Sequence, residues 1–165
     1  MLKEFFDYKN ELMKTLCSDA RIVKLLTDSS EAAVPNYDIP YHLIFPYEFI
    51  PETVSEGKTF ICYDVDIVDV QNKTYCKPAL YIWVFTHKSK LALPEGGVRT
   101  DELANAIDAV INGSRDFCLG ELELDSVTRF VPILDYQGRC LTYVGSDFNR
   151  LHSEGKPAPS RRPPL

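Results

Sequence analysis

The sequence lacks the features that mark several common classes of protein. It has no C-x-x-C pair, no glycine-rich dinucleotide or phosphate-binding motif, and no apolar run near the roughly 20 residues that span a bilayer. It has no excess of positive charge either, since its formal net charge is -6. The bulk charge therefore does not indicate a nucleic-acid-binding protein. We expect neither a membrane span nor a cysteine-based zinc site.

Residues 1–14 contain no uninterrupted apolar core, so no secretory signal is predicted and we expect the product to stay in the cytoplasm where it is made. In that reducing compartment the five cysteines should be free thiols that act as small buried hydrophobes. Two of them, Cys62 and Cys76, are expected in facing strands and close to one another. The cysteines are Cys17, Cys62, Cys76, Cys118 and Cys140.

A chain of 165 residues with 45% hydrophobic and 12% aromatic content is long and apolar enough for one domain with a real core. We predict a single domain over residues 1–150. Residues 151–165 contain Gly155 and four prolines and few apolar side chains, which is typical of an extended arm.

The centre of the chain, residues 59–87, predicts a β-hairpin. Its first run alternates apolar residues with Asp64 and Asp66, which predicts one wet face. Its second run, residues 80–85, is apolar on both faces, so each face of this strand must be covered by another part of the structure. One cover should be a helix, and the other is either more of the chain or another subunit.

The remaining patterns predict an α+β fold with a mainly antiparallel sheet flanked by helices. Apolar residues recur at helical spacing over residues 2–17, and Ser18 and Asp19 are expected to cap a second helix over 20–26. Prolines and aromatics over 27–51 indicate a long ordered loop. A third helix is expected to begin at a Thr100 cap and end at Asn112 and Gly113. Two further strands, residues 121–134 and 139–144, should turn at 135–138.

Three aspartates invite a metal-site interpretation. Asp64 and Asp66 share a strand face, but alternation predicts that Asp69 points to the other face, and no His or Glu completes the set. We therefore interpret them, together with Glu121 and Glu123, as wet strand faces, or as an acidic lining repeated by symmetry. No catalytic motif, cofactor or metal is predicted.

Several segments resemble the small neck proteins of tailed bacteriophages, in particular the tail-terminator or tail-completion group. The resemblance is carried by residues 112–117, 120–124, 126–130, 136–139 and 146–150, and it extends upstream to 45–47 and 59–62. The resemblance implies a helix-flanked α+β domain that assembles as a ring, usually sixfold, on the head-proximal end of the tail tube.

This resemblance implies a non-enzymatic virion protein that caps the tail tube and joins it to the head-side connector, with double-stranded DNA passing through the ring. Aromatic residues would then supply core and subunit contacts, and acidic residues would line the lumen, because like charges repel phosphates. The expected interface residues are Tyr41, Phe45, Tyr47, Phe49, Trp83 and Phe85, and the expected lumen residues are Asp64, Asp66, Glu121 and Glu123.

Three other interpretations stay open. The chain could be a head-completion or stopper protein one ring nearer the head, a small cytoplasmic enzyme that uses Asp64 or Asp66, or a monomeric regulatory binding module. Sedimentation of the purified protein, alone and with tail tubes, would separate them.

The Pro-rich arm generates the first testable prediction. Its prolines lower the entropic cost of docking in an extended form, and Arg161 and Arg162 suit an acidic neighbour. Truncation after Arg150 should leave the domain folded but weaken its attachment to partners. Circular dichroism and co-sedimentation with tail tubes measure the two effects. Normal necks and normal infectivity from the truncated protein would contradict the arm hypothesis.

Overall fold

A computed structural model describes residues 2–28, 39–50, 57–71, 74–117 and 120–148. Arg161, Arg162 and the rest of the predicted arm lie outside these ranges. In the described part, three α-helices pack on a six-stranded, mostly antiparallel sheet, which confirms the predicted α+β fold. The helices are α1 (Leu2–Ser18), α2 (Ala20–Thr27) and α3 (Arg99–Ile111). The strands are β1 (Ile44–Phe45), β2 (Thr59–Gln71), β3 (Tyr75–His87), β4 (Glu123–Phe130), β5 (Tyr136–Val144) and β6 (Asp147–Phe148).

Helices α1 and α2 form where the apolar spacing predicted them. The Asp19 carboxylate accepts hydrogen bonds from the backbone N–H groups of Arg21 (2.9 Å) and Ile22 (3.0 Å), which confirms the predicted cap of α2. The apolar stripe of α1 is narrower than predicted, because Leu12 and Leu16 are buried whereas Phe6 is 65% exposed.

The predicted Thr100 cap of α3 is wrong. The helix begins at Arg99 after Val98, which makes no side-chain capping bond, and Thr100 is buried. Arg99 is buried instead and links the end of α2 to the start of α3. Its guanidinium donates to the Leu25 carbonyl at 2.8 Å and forms an ion pair with Asp28 at 2.5 Å. The predicted end of α3 is confirmed, since Gly113 adopts a left-handed φ of 77°.

The central hairpin is confirmed as β2 and β3, and the sheet order is β1-β2-β3-β5-β4, with β6 also paired to β3. One register change matters for the acidic residues. A β-bulge between Ile67 and Asp69 inserts an extra residue in β2, so Asp69 pairs with Lys77. Asp69 therefore shares a face with Asp64 and Asp66, and the prediction of opposite faces is wrong.

The predicted proximity of Cys62 and Cys76 is also wrong. Cys62 pairs with Trp83, seven positions along β3 from Cys76, and the two thiols lie on opposite faces of the sheet. Cys17, Cys62 and Cys76 are buried thiols and Cys140 is half-buried, whereas Cys118 lies outside the described residues.

The turn predicted at residues 135–138 is not where the chain turns. β4 ends at Phe130, shortly before Pro132, and β5 already begins at Tyr136. Gly138 is needed inside β5 and not in a turn, because a Cβ atom there would lie 2.1 Å from the Val84 carbonyl oxygen and 2.7 Å from the Phe85 Cβ. Two strands of the sheet thus approach so closely at this point that only glycine fits.

Gly138→Ala should therefore destabilise the domain by about 3 kcal/mol, since the added methyl group meets strand backbone that cannot move aside. Urea unfolding followed by circular dichroism measures the change. Gly120→Ala is the matched control, because its Cβ would come no nearer than 3.6 Å to another atom, and its effect should stay within about 1 kcal/mol. Equal stability of the two variants would contradict the close approach of Gly138 to the backbone of β3.

Candidate interaction surface

The two faces of the sheet are covered differently. α1, α2 and α3 pack on one face, where Leu12, Ile22, Ile82 and Leu103 belong to the main core. On the opposite face, an aromatic cluster covers only one end of the strands. Across the rest of that face the described residues supply no covering helix or strand, and we call this side of the sheet the open face.

Strand register arranges the open face in four cross-strand rows, taken in the order β2, β3, β5, β4. The rows change from aromatic at one end to acidic at the other. They are Phe60 with Phe85, Gly138 and Phe130; Cys62 with Trp83, Cys140 and Thr128; Asp64 with Tyr81, Thr142 and Ser126; and Asp66 with Ala79, Val144 and Glu123.

The aromatic end of the open face is closed by the loop that follows β1. Phe45 stacks on Phe49 with ring centroids 4.1 Å apart, and Phe60 lies 5.5 Å from both Phe49 and Phe85. Tyr136 completes this second, smaller core. The loop therefore supplies the second cover that the doubly apolar strand β3 requires, but only over part of its length.

The six aromatic residues predicted at a subunit interface separate into three groups. Phe45 and Phe85 are buried inside the subunit and offer no exposed ring to a neighbour. Phe49 and Trp83 are half-buried. Tyr41 and Tyr47 are 59% and 46% exposed, and Tyr41 adopts a left-handed φ of 62°, which is uncommon for a residue with a side chain. The aromatic surface available to a partner is thus smaller than the six residues imply.

The middle of the open face combines aromatic and small polar side chains. Tyr81 and Trp83 stack with centroids 6.1 Å apart, and both rings are half-buried. Beside them, Cys140 lies between Thr128 and Thr142. Burial raises the pKa of the Cys140 thiol, although hydrogen bonds with Thr142 and Thr128 oppose the change.

The acidic residues do not form one cluster. Asp66 and Glu123 are exposed at the two ends of one row, about 14 Å apart across three strand spacings. Asp64 forms an ion pair with Lys9 of α1 at 2.7 Å. Glu121 precedes β4 and pairs with Arg115 at 2.5 Å. Among the described residues, no group of three or more His, Cys, Asp or Glu side chains could hold a metal ion.

The two ends of the strands also differ in charge. Within the described ranges, acidic side chains prevail at the end of the sheet where β2 ends and β3 begins. Basic side chains prevail at the other end, where β2 begins and β3 ends. Ion pairs join Lys88 to Asp135, Lys90 to Asp28 and Arg139 to Asp101. The acidic end carries Asp66, Asp69, Glu123, Asp125 and Asp147, and the opposite end carries Lys58, Lys88, Lys90, Arg129 and Arg139.

The fold and this surface define an α+β protein with one helix-covered and one partly uncovered sheet face. The chain belongs to the YomW family, whose model matches residues 19–144. The family name derives from a Bacillus phage, which associates the chain with bacteriophages. No curated protein matches the chain. Among the described helices, none has the length and apolar character needed to cross a bilayer.

The alkylation rates of the Cys62 and Cys140 thiols test which parts of the open face are exposed. Burial raises the pKa of Cys62 to about 12, so at pH 8 almost none of it is the reactive thiolate. Cys140 is half-buried on the open face and should be alkylated at least tenfold faster than Cys62. Peptide mapping after timed treatment with N-ethylmaleimide measures both rates. Unfolding in urea should abolish the difference, and equal rates in the folded protein would contradict the described burial.

Proposed function

We propose that this protein is a structural component of the phage neck, made in the bacterial cytoplasm and incorporated at the head-tail junction of the virion. In this proposal it forms a homo-oligomeric ring, with six subunits expected, that caps the tail tube and joins it to the connector or head-completion proteins. The observation that carries the proposal is the open face, on which half-buried Trp83 borders the aromatic cluster and half-buried Tyr81 stacks on Trp83, with no helix or strand of the described residues over them. Membership of a phage-derived family supports it.

The size of the open face indicates which surfaces a neighbouring subunit would contact. From Phe60 to Asp66 the face extends about 20 Å along the strands, and it is about 14 Å wide between the outer strands. This area of roughly 300 Å² is well below the about 800 Å² that each partner buries in a stable interface. The contact must therefore include more than the sheet, and exposed Tyr41 and Tyr47 supply further aromatic surface.

The acidic end of the open face is proposed to border the lumen of the ring. Asp66 and Glu123 are exposed there, and their charges would keep a DNA duplex from adhering as it passes. Asp64 and Glu121 contribute less net charge, because Lys9 and Arg115 neutralise them. Such a lumen needs no sequence-specific contact with DNA.

The alternatives have different support. A head-completion or stopper ring, one position nearer the head, would use the same open face and is the nearest alternative. An enzyme that uses Asp64 or Asp66 is less favoured, because the Asp64 carboxylate is engaged by Lys9 and Asp66 lies on an exposed strand. We therefore keep the proposal that the protein is not an enzyme and uses no cofactor.

Variants of the open face test the proposed ring. Trp83→Ala removes an aromatic anchor, and Thr142→Glu places a charge in the middle of the face, so both should reduce ring formation at least tenfold. Asn105→Glu adds the same charge on the exposed side of α3 and should assemble normally. Sedimentation velocity, with and without tail tubes, measures assembly, and circular dichroism verifies folding.

Two results would overturn the proposal. A wild-type protein that stays monomeric and does not bind tail tubes would favour a monomeric binding module. A ring that forms equally well in Thr142→Glu would show that the open face is not the subunit contact.

A further inference from the structure

Strand β4 forms one edge of the sheet, and the described residues provide no strand beside its outer side. Only the beginning of this edge is protected. The Asn112 side chain accepts a hydrogen bond from the Leu124 N–H at 3.3 Å, and a β-bulge interrupts the register between Leu124 and Ser126. From Ser126 to Phe130 the strand is regular, carries one charged side chain and has a half-exposed Val127. Uncovered edges of this kind can pair with another strand.

The opposite edge of the sheet is protected at several points. β1 pairs with Ile61 and Cys62 of β2, and beyond that point the Lys9 ammonium group binds both the Asp64 carboxylate and the Pro46 carbonyl oxygen. The bulge at Val68 then distorts what remains of the edge. Among the described residues, several features therefore protect the β2 edge, whereas the β4 edge stays regular and uncovered from Ser126 to Phe130.

The exposed part of β4 is complementary to itself. In an antiparallel pair centred on Val127, each Ser126 stands opposite the second copy's Thr128, and the bulge residue Asp125, next to the regular segment, lies beside the second copy's Arg129. Arg129 donates to the Gln137 amide oxygen at 3.2 Å but has no carboxylate partner among the described residues, and neither does Asp125 have a cationic one. Both residues thus have charges that a second copy would neutralise.

We propose that a second copy of this chain docks on the β4 edge, and that two β4 strands pair antiparallel about a twofold axis at Val127. Val127, which is 49% exposed, would then pack on its own symmetry mate. Two Asp125–Arg129 ion pairs would determine the register, since a shift by one residue places Arg129 opposite a neutral side chain. The resulting contact is isologous, the type that produces closed dimers.

This inference does not depend on the neck proposal, because it uses the backbone edge of β4 and shares with the open face only the side chains of Ser126 and Thr128. A partner on the open face would stack on the broad side of the sheet. A partner on the β4 edge would instead extend the sheet sideways by another strand. Thr142→Glu should therefore leave the edge dimer intact even where it abolishes a ring. If the ring proposal fails, the dimer can still be tested alone.

Engineered cysteines test the predicted register. Val127→Cys places two thiols directly opposite each other on the twofold axis, with Cβ atoms about 5 Å apart, so a backbone shift of about 0.5 Å brings them within disulfide range and mild oxidation should give a covalent dimer. Thr128→Cys is the matched control, made together with Cys140→Ser because Thr128 lies opposite Cys140 in β5. Its two thiols would be about 8 Å apart along the diagonal, too far for a disulfide. Non-reducing electrophoresis of both full-length variants, beside the wild-type protein with its native cysteines, reports the result.

A charge exchange tests the proposed contacts. Asp125→Arg and Arg129→Asp should each weaken the dimer on the order of tenfold, because two attractive pairs become repulsive. The double variant should regain wild-type dimerisation, measured by sedimentation over a concentration series. Circular dichroism shows that each variant is folded. Monomeric wild-type protein, a dimer insensitive to both single changes, or equal cross-linking of Val127→Cys and Thr128→Cys would overturn the proposal.

Discussion

Strand β3 is apolar on both sides, and the rest of the structure depends on how those sides are buried. Ile82 and Val84 point toward the helices and are fully buried there, whereas Phe85 is fully buried on the opposite side. The strand pairs with β2 and β5 along most of its length, so its position determines the register of the sheet. The helices complete one cover. The other is completed by the Phe45 to Phe49 loop only at one end, which leaves the open face.

The same register that builds the second core also arranges the surface. Phe60, Phe85 and Phe130 stand in one row and seal the aromatic end, while three rows further along Asp66 and Glu123 stand at the strand edges. Core and surface are therefore parts of one pattern with a period of two residues. A register shift of one residue in β2 would bury Asp64 and expose Tyr63, which is now fully buried.

Periodicity predicted the helices, the central hairpin and the alternation of Asp64 and Asp66, because these depend on which side chains face the core. It could not predict features that depend on contacts between distant segments. Gly138 follows a turn-like sequence, yet β3 approaches it too closely for any other residue. The bulge that reorients Asp69 has no sequence signal of its own. The sequence indicates that Phe45 and Phe85 are structurally important, but only the packing shows that both are buried in the same aromatic cluster within the subunit.

Within the described residues, the uneven charge along the strands contributes an electric dipole, with its negative end at Asp66 and Glu123 and its positive end at Arg129. In the field of a DNA duplex, such a dipole rotates to bring its positive end toward the phosphates. An acidic lumen requires the reverse orientation. If the proposed ring has this lumen, DNA would be a poor template for its assembly, and the ring would close through protein contacts before the genome reaches it.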